Sequence, residues 1–214
     1  MAALIIHAVW HVMTARKLRK IRQVSRTEFG LAALTLAGVL FIDVFEGMII
    51  GVAASLLLII YQSSKPHLGS LGRTPGIPGA YSDLGRHPEN LPVPGLLILR
   101  LDAPMYYANA LTVRDQMKAM IASTQPPPRA LLLDAAGQDT LDITSAEVLK
   151  GFMKELKSKG ISIYVAEVHV TVQEAALREG LLEMIGEDHI FPTVDSTVRA
   201  IEGSVAARQT ESNV

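Results

Sequence analysis

The chain has 214 residues, 49% of them hydrophobic and 19% charged, which leaves room for one ordinary domain, or a small domain plus an appendage, and excludes a wholly disordered chain. A formal net charge of -1 argues against a nucleic-acid partner, and the absence of cysteine excludes disulfides, thiolate metal sites and cysteine nucleophiles. The mean hydropathy of +0.29 hides two unlike pieces. Residues 1–65 carry seven Lys/Arg against three Asp/Glu, and residues 66–214 carry thirteen against eighteen.

Residues 2–12 are apolar but too few to cross a bilayer. Basic residues follow this run rather than precede it, unlike a signal peptide, so it reads as the second half of a helix whose first half is missing. His7 and His11, four apart, are two metal-type ligands without a third, and read as neighbours in a truncated bundle. Arg16, Lys17, Arg19, Lys20, Arg22 and Arg26 form an acid-free cluster that the positive-inside rule places in the cytoplasm, against anionic membrane lipid. Residues 29–42 and 47–61 are uncharged and flank Asp43 and Glu46. A two-helix hairpin with its acidic turn in water fits, because one long helix would hold two carboxylates near mid-bilayer at about 2.5–3.5 kcal/mol each. Gly47 and Gly51 form a small-xxx-small face that expects helical neighbours. The hairpin leaves and returns, which predicts a multi-pass protein of an inner or plasma membrane with residues 62–214 cytoplasmic.

Residues 63–94 are rich in Gly, Pro and Ser and read as an extended linker. From residue 95 the pattern becomes α/β. Residues 96–101 predict a strand, residues 105–107 a second short one that would pair antiparallel with it, and Asn109 caps a helix bearing Val113, Met117, Met120 and Ile121. Residues 129–134 and 161–166 predict further strands, separated by a helix that carries Val148, Leu149, Phe152, Met153 and Leu156 and stops at Gly160 as its C′ residue. Residues 171–185 predict one helix, residues 190–191 an edge element, and Asp195 the cap of a last helix. Alternating strands and helices imply a mixed, mainly parallel sheet flanked by helices. The expected organisation is a truncated transmembrane region over 1–62, a linker over 63–94, an α/β domain over 95–205 and a disordered tail over 206–214.

The chain resembles the C-terminal end of SulP-type anion transporters, the group that includes solute carrier family 26. The resemblance rests on Gly51 and Ser55, on Tyr61, Ser64-Lys65-Pro66-His67, Leu71-Gly72-Arg73, Pro75-Gly76 and Tyr81. It continues through Arg100-Leu101-Asp102-Ala103-Pro104, Tyr107-Ala108-Asn109-Ala110 and Asp142-Ile143-Thr144-Ser145. The second piece resembles a STAS domain, which these transporters share with bacterial anti-sigma-factor antagonists. The resemblance implies the end of a SulP transmembrane domain followed by a STAS domain. It further implies secondary transport of sulfate, bicarbonate or a dicarboxylate, with the anion held between half-helices near the midplane. Those half-helices are not in this sequence, so no transported-anion residue is named and no transport is expected of this fragment alone. The STAS domain would serve assembly and regulation. The implied partners are the remainder of the transmembrane domain, a second copy in a homodimer, and a cytoplasmic protein. The rival expectation is a self-contained, membrane-anchored STAS signalling module switched by phosphorylation at Thr144.

The best candidate site is the loop of residues 134–144. By resemblance Thr144 matches the phosphorylated residue of the antagonists and Asp142 stands two before it; Ser145, the second phosphorylation candidate, follows where the antagonists usually have Gly. The simpler reading is that Thr144 caps the helix and Asp142 shapes the loop. Asp134, Asp139 and Asp142 crowd the same loop and suit Mg²⁺, although capping and turn formation account for them without a metal. Lys150, Lys154 and Lys157 form a stripe that reads as a solvated face beside Glu147 and Glu155. The stretch 68–73 lacks the Lys-Ser/Thr of a P-loop, and no nucleophile–base–orienter set can be assembled, so neither cofactor nor enzyme activity is expected.

Overall fold

The computed structural model describes residues 26–64 and 66–211, with side chains described through Ser204. The apolar run 2–12, the His7/His11 pair and the basic residues 16–22 lie outside the described residues. The chain divides into two compact units, Met1–Gln62 and Ser63–Val214.

In the first unit, α1 (Arg26–Phe41) and α2 (Val44–Ser63) form a helical hairpin with only Ile42 and Asp43 between them. The Asp43 carbonyl accepts the first helical bond of α2 from Gly47 N at 2.9 Å. The buried residues of this pair are glycines: Gly38 on α1, Gly47 and Gly51 on α2. A Cβ on Gly47 would lie 2.3 Å from Val39 N, and one on Gly51 would lie 2.5 Å from Thr35 Oγ1. The backbones therefore touch where side chains are missing, the usual contact between helices that share an apolar solvent. The Thr35 hydroxyl donates to the Leu31 carbonyl at 3.0 Å and needs no other partner. Leu40, Phe41, Leu57 and Ile59 point outward. Helix α2 is long and apolar enough to cross a membrane, whereas α1 with 16 residues is shorter than the ~20 usually needed.

The second unit is a six-stranded mixed sheet flanked by helices. Its strands are β1 (Leu68–Arg73), β2 (Tyr81–Asp83), β3 (Leu96–Leu101), β4 (Ala130–Asp134), β5 (Ser162–Ala166) and β6 (Ile190–Phe191), in the order β2-β1-β3-β4-β5-β6. Strands β3 to β6 run parallel, and β1 is antiparallel to both β2 and β3. Helices α3 (Ala110–Ser123) and α4 (Ile143–Ser158) make the first two crossovers. A third passes through α5 (Val170–Arg178), α6 (Leu181–Ile185) and a 3₁₀ turn, and α7 (Val194–Glu211) follows β6.

Alternation along β3 builds two cores. Leu97, Leu99 and Leu101 face one side with Val113, Met117, Phe152, Met153 and Leu181. Leu96 and Ile98 face the other with Leu71, Val93, Leu132, Val194 and Val198. A strand covered on both faces reads as a continuous apolar run, which is why 96–101 and 130–134 are legible without a period of two. Gly160 ends α4 as expected. Its φ is 73°, its N–H reaches the Lys157 carbonyl, and Ile161 N reaches the Leu156 carbonyl, each at 3.0 Å, which is a Schellman closure.

Four expectations change. The segment 63–94 is not only a connection, since it supplies β1 and β2, the antiparallel edge of the sheet. Its Gly72 is hemmed in by packing, where a Cβ would sit 2.6 Å from Leu84 Cδ2 and 3.0 Å from the Leu91 carbonyl, and a Cβ on Gly69 would sit 3.1 Å from Asp83 Oδ2. Residues 105–107 form no strand, because Met105 N bonds the Gln138 side chain instead of a sheet partner. The helix expected over 171–185 is broken at Gly180, where φ is 72°. The last helix is capped by Thr193 rather than Asp195: Ser196 N donates to Thr193 Oγ1 at 3.1 Å while Thr193 N reaches Ser196 Oγ at 3.2 Å. It runs to Glu211, through most of the segment read as a tail.

Candidate functional site

The β4–α4 loop leaves the C-terminal end of a parallel strand, where α/β folds place their functional residues. Asp134, the last residue of β4, stands in register opposite Arg100 of β3. Arg100 Nε and Nη2 donate to Asp134 Oδ2 at 2.7 and 2.6 Å, and Ala136 N donates to Oδ1 at 3.0 Å. The Asp134 side chain is fully buried, so three donors compensate its lost hydration.

The loop is then pinned from both sides. A Cβ on Gly137 would lie 2.5 Å from the Leu101 carbonyl, so only glycine lets the loop rest on the end of β3. Gln138 spans to the β3–α3 connection: its Oε1 accepts from Met105 N at 2.8 Å, and its Nε2 donates to the Ala103 carbonyl at 3.0 Å and the Leu101 carbonyl at 3.4 Å. From the start of α5, Thr171 Oγ1 donates to the Asp139 carbonyl at 2.9 Å, and His169 Nε2 lies 3.0 Å from the Ala136 carbonyl.

Asp142, not Thr144, caps α4. Its backbone is extended at φ -87°, ψ 163°, its Oδ1 accepts from Ser145 N at 3.0 Å, and its Oδ2 accepts from Ser145 Oγ at 2.9 Å. Ser145 is completely buried, which removes it as a surface phosphate acceptor. Thr144 is exposed on the first turn of α4. It borders a shallow depression shared with Tyr107, Ile143, Arg178 and Glu179. Exposed Tyr107, Leu111, Ile143, Val170 and Leu177 lie on the segments that surround this end of the sheet. The three loop carboxylates do not converge: Asp134 binds Arg100, Asp142 caps α4, and exposed Asp139 receives the Thr140 hydroxyl at 3.4 Å. No metal-holding group of three His, Asp or Glu occurs among the described residues.

Asn109 occupies the N-cap position of α3 without a side-chain cap bond. Its φ of -116° and ψ of -9° are near-helical, which turns the side chain back onto the preceding turn. There Oδ1 accepts from Tyr106 N at 2.9 Å and Nδ2 donates to the Pro104 carbonyl at 3.1 Å. The lysine stripe is largely occupied. Lys150 pairs with Glu147 and Glu179, and Lys157 bonds the Met184 carbonyl. Hydrogen bonds from Lys118 and then Lys159 lower the Glu155 carboxyl to about 2. Sequence reading missed Gln138, His169 and Thr171, since their partners are carbonyls that only the fold brings near. Arg100 was quotable as a motif residue, but its pairing with Asp134 needs the register of two parallel strands.

A family model described as "STAS domain" matches residues 87–197. A probable sulfate transporter of Mycobacterium tuberculosis (strain ATCC 25618 / H37Rv) is 32% identical over 94% of this chain and 36% of its own length. A probable sulfate transporter 4.2 of Arabidopsis thaliana is 29% identical over 93% of this chain and 31% of its own. The murine solute carrier 26 family member A9 anion transporter, solved in the inward-facing state, superposes with a TM-score of 0.75 at 20% identity, over 86% of this chain and 30% of that one. The chain thus spans about a third of the length of the curated relatives it matches. The chain belongs to the STAS domain family, and with its hairpin and mixed sheet it resembles the C-terminal part of SulP/SLC26 transporters.

Proposed function

We propose that the chain works within a secondary anion transporter, with its STAS domain serving assembly and regulation and with no transport by this segment alone. The observation that carries the proposal is the hairpin. It buries glycines and turns Leu, Ile and Phe outward, a surface that suits lipid and further membrane helices. The names of the relatives favour an inorganic anion such as sulfate, with bicarbonate or a small dicarboxylate as the other candidates. Residues 1–62 then end the membrane domain, and residues 62–214 lie in the cytoplasm. A homodimer partner or a cytoplasmic protein would meet the STAS surface. An immunoblot of native membranes with an antibody against residues 95–205 is expected to show a band well above 23.1 kDa. Deletion of the whole gene is expected to reduce sulfate uptake; unchanged uptake would overturn the sulfate reading.

A second reading has a specific observation in its favour. Thr144 is exposed beside the start of α4, with Arg178 on the same depression, so a phosphate there would meet helix N–H groups and a guanidinium. In that case the chain is a self-contained anchored module. The band would fall at 23.1 kDa, and mass spectrometry would find phosphate on Thr144.

A further inference from the structure

The sheet face that carries Leu99 and Leu101 is not packed solid. A cavity of about 120 Å³ lies between this face and the helices over it, walled by Leu101, Leu133 and Val165 from the strands and by Met117, Met153 and Leu181 from α3, α4 and α6. At about 30 Å³ per water it has room for several, but each would need two to four polar partners. The wall does not offer them. Asp134 and Gln138 reach its edge, and every polar atom of both side chains is already bonded: Asp134 to Arg100 and Ala136, Gln138 to Met105, Leu101 and Ala103. An apolar cavity of this order, about 150 Å³ in a measured case, stays dry and takes up benzene. Met105 joins Met117 and Met153 in the wall, and unbranched thioether side chains repack readily around a guest. The cavity reaches Gln138, Thr140 and Leu141, and Thr140 is exposed, so one end of it lies against the β4–α4 loop.

We propose that this cavity binds a small hydrocarbon group about the size of benzene. The guest is a compact free hydrocarbon or the methyl end of a short chain whose polar head stays at the loop. The two share one chemistry and are distinguished by the probe.

The test uses the full chain in lipid nanodiscs, labelled with ¹³C at the methionine methyls and titrated with benzene or with hexanoate. The Met117 and Met153 methyls are expected to shift and saturate with benzene. Met48, exposed on the hairpin, serves as the lipid reference and is expected to shift linearly. Saturation by hexanoate as well assigns the chain-end form, and saturation by benzene alone assigns the free hydrocarbon. Ala176, also in the wall, is replaced by leucine to fill the space, and Ala176→Leu is expected to abolish the saturable shift. Cavity methyls that stay still, or that track Met48 linearly with both probes, overturn the proposal whether or not Ala176→Leu folds. A saturable shift that survives in a folded Ala176→Leu overturns it as well.

Discussion

The hairpin and the STAS domain sort the same residue types in opposite directions. In the hairpin the interior is Gly38, Gly47 and Gly51, while Phe41 and Leu57 are 87% and 67% exposed. In the STAS domain Leu99, Leu132 and Phe152 are at most 1% exposed, and charge lies outside except for Asp134, which Arg100 pairs. Burial is defined against a solvent. Water drives large apolar groups inward. Hydrocarbon is indifferent to them, so backbone contact through small residues holds helices together instead. Glycine serves close approach in both units, at Gly47 against Val39 and at Gly137 against the Leu101 carbonyl.

Truncation of a core side chain is the largest effect expected. Phe152→Ala should destabilise the STAS domain by about 3–5 kcal/mol, read as a shift in the urea midpoint of the full chain. Leu57→Ala in the hairpin should leave that midpoint unmoved, and an equal shift would break the contrast between the two units. Next comes the hairpin contact itself. Gly47→Val drives a Cβ into the Val39 backbone and should cost about 1–3 kcal/mol or more. The chain has no cysteine, so spin labels on cysteines introduced at the exposed Leu40 and Met48 report it directly. Their separation should be short and narrowly distributed in the parent background and should lengthen with Gly47→Val.

A smaller effect separates two neighbours on the loop. Asp142→Ala removes the α4 cap and strands the buried Ser145 hydroxyl, at a cost of about 1–2 kcal/mol. Thr144→Ala should be close to neutral. Hydrogen exchange at the first turn of α4 would quicken for the first and not for the second. The smallest effect concerns pH. Glu155 is held near 2 by Lys118 and Lys159, below its ordinary value of about 4.3. A depressed carboxyl stabilises the fold above about pH 4.3, and that contribution fades as pH falls toward 2. The pair is solvent-exposed, so solvent screening keeps the effect small. A carboxyl NMR titration should place the Glu155 midpoint near 2 and move it upward in Lys118→Ala.

Much of the architecture was legible because it depends on local composition. The runs 96–101 and 130–134 are apolar throughout, the mark of strands covered on both faces. Gly160 stands where a helix must turn left-handed. The edge strands β1 and β2 were not legible, since the two glycines of β1 signal a turn until Leu84 and Asp83 are seen packed on them. The break at Gly180 shows in the sequence only as a five-residue step from Ala176 to Leu181, between the i, i+4 pairs Val172/Ala176 and Leu181/Ile185. At the candidate loop, three aspartates in eleven residues suggest a shared site. The fold gives them an arginine, a helix end and a surface position.

That an apolar hairpin precedes an α/β domain is written in residue type and spacing, because solvent preference and strand–helix alternation are local properties of the chain. The sequence also placed Asp142 and Thr144 at the start of a helix. The tertiary structure alone decided which of them caps it, since that depends on a buried Ser145 bonding back to Asp142. It likewise decided that Asp134 meets Arg100, that Gln138 joins two loops, and that a cavity remains under the helices. Each of these rests on partners far apart in sequence, brought into register by strand pairing that no single segment encodes.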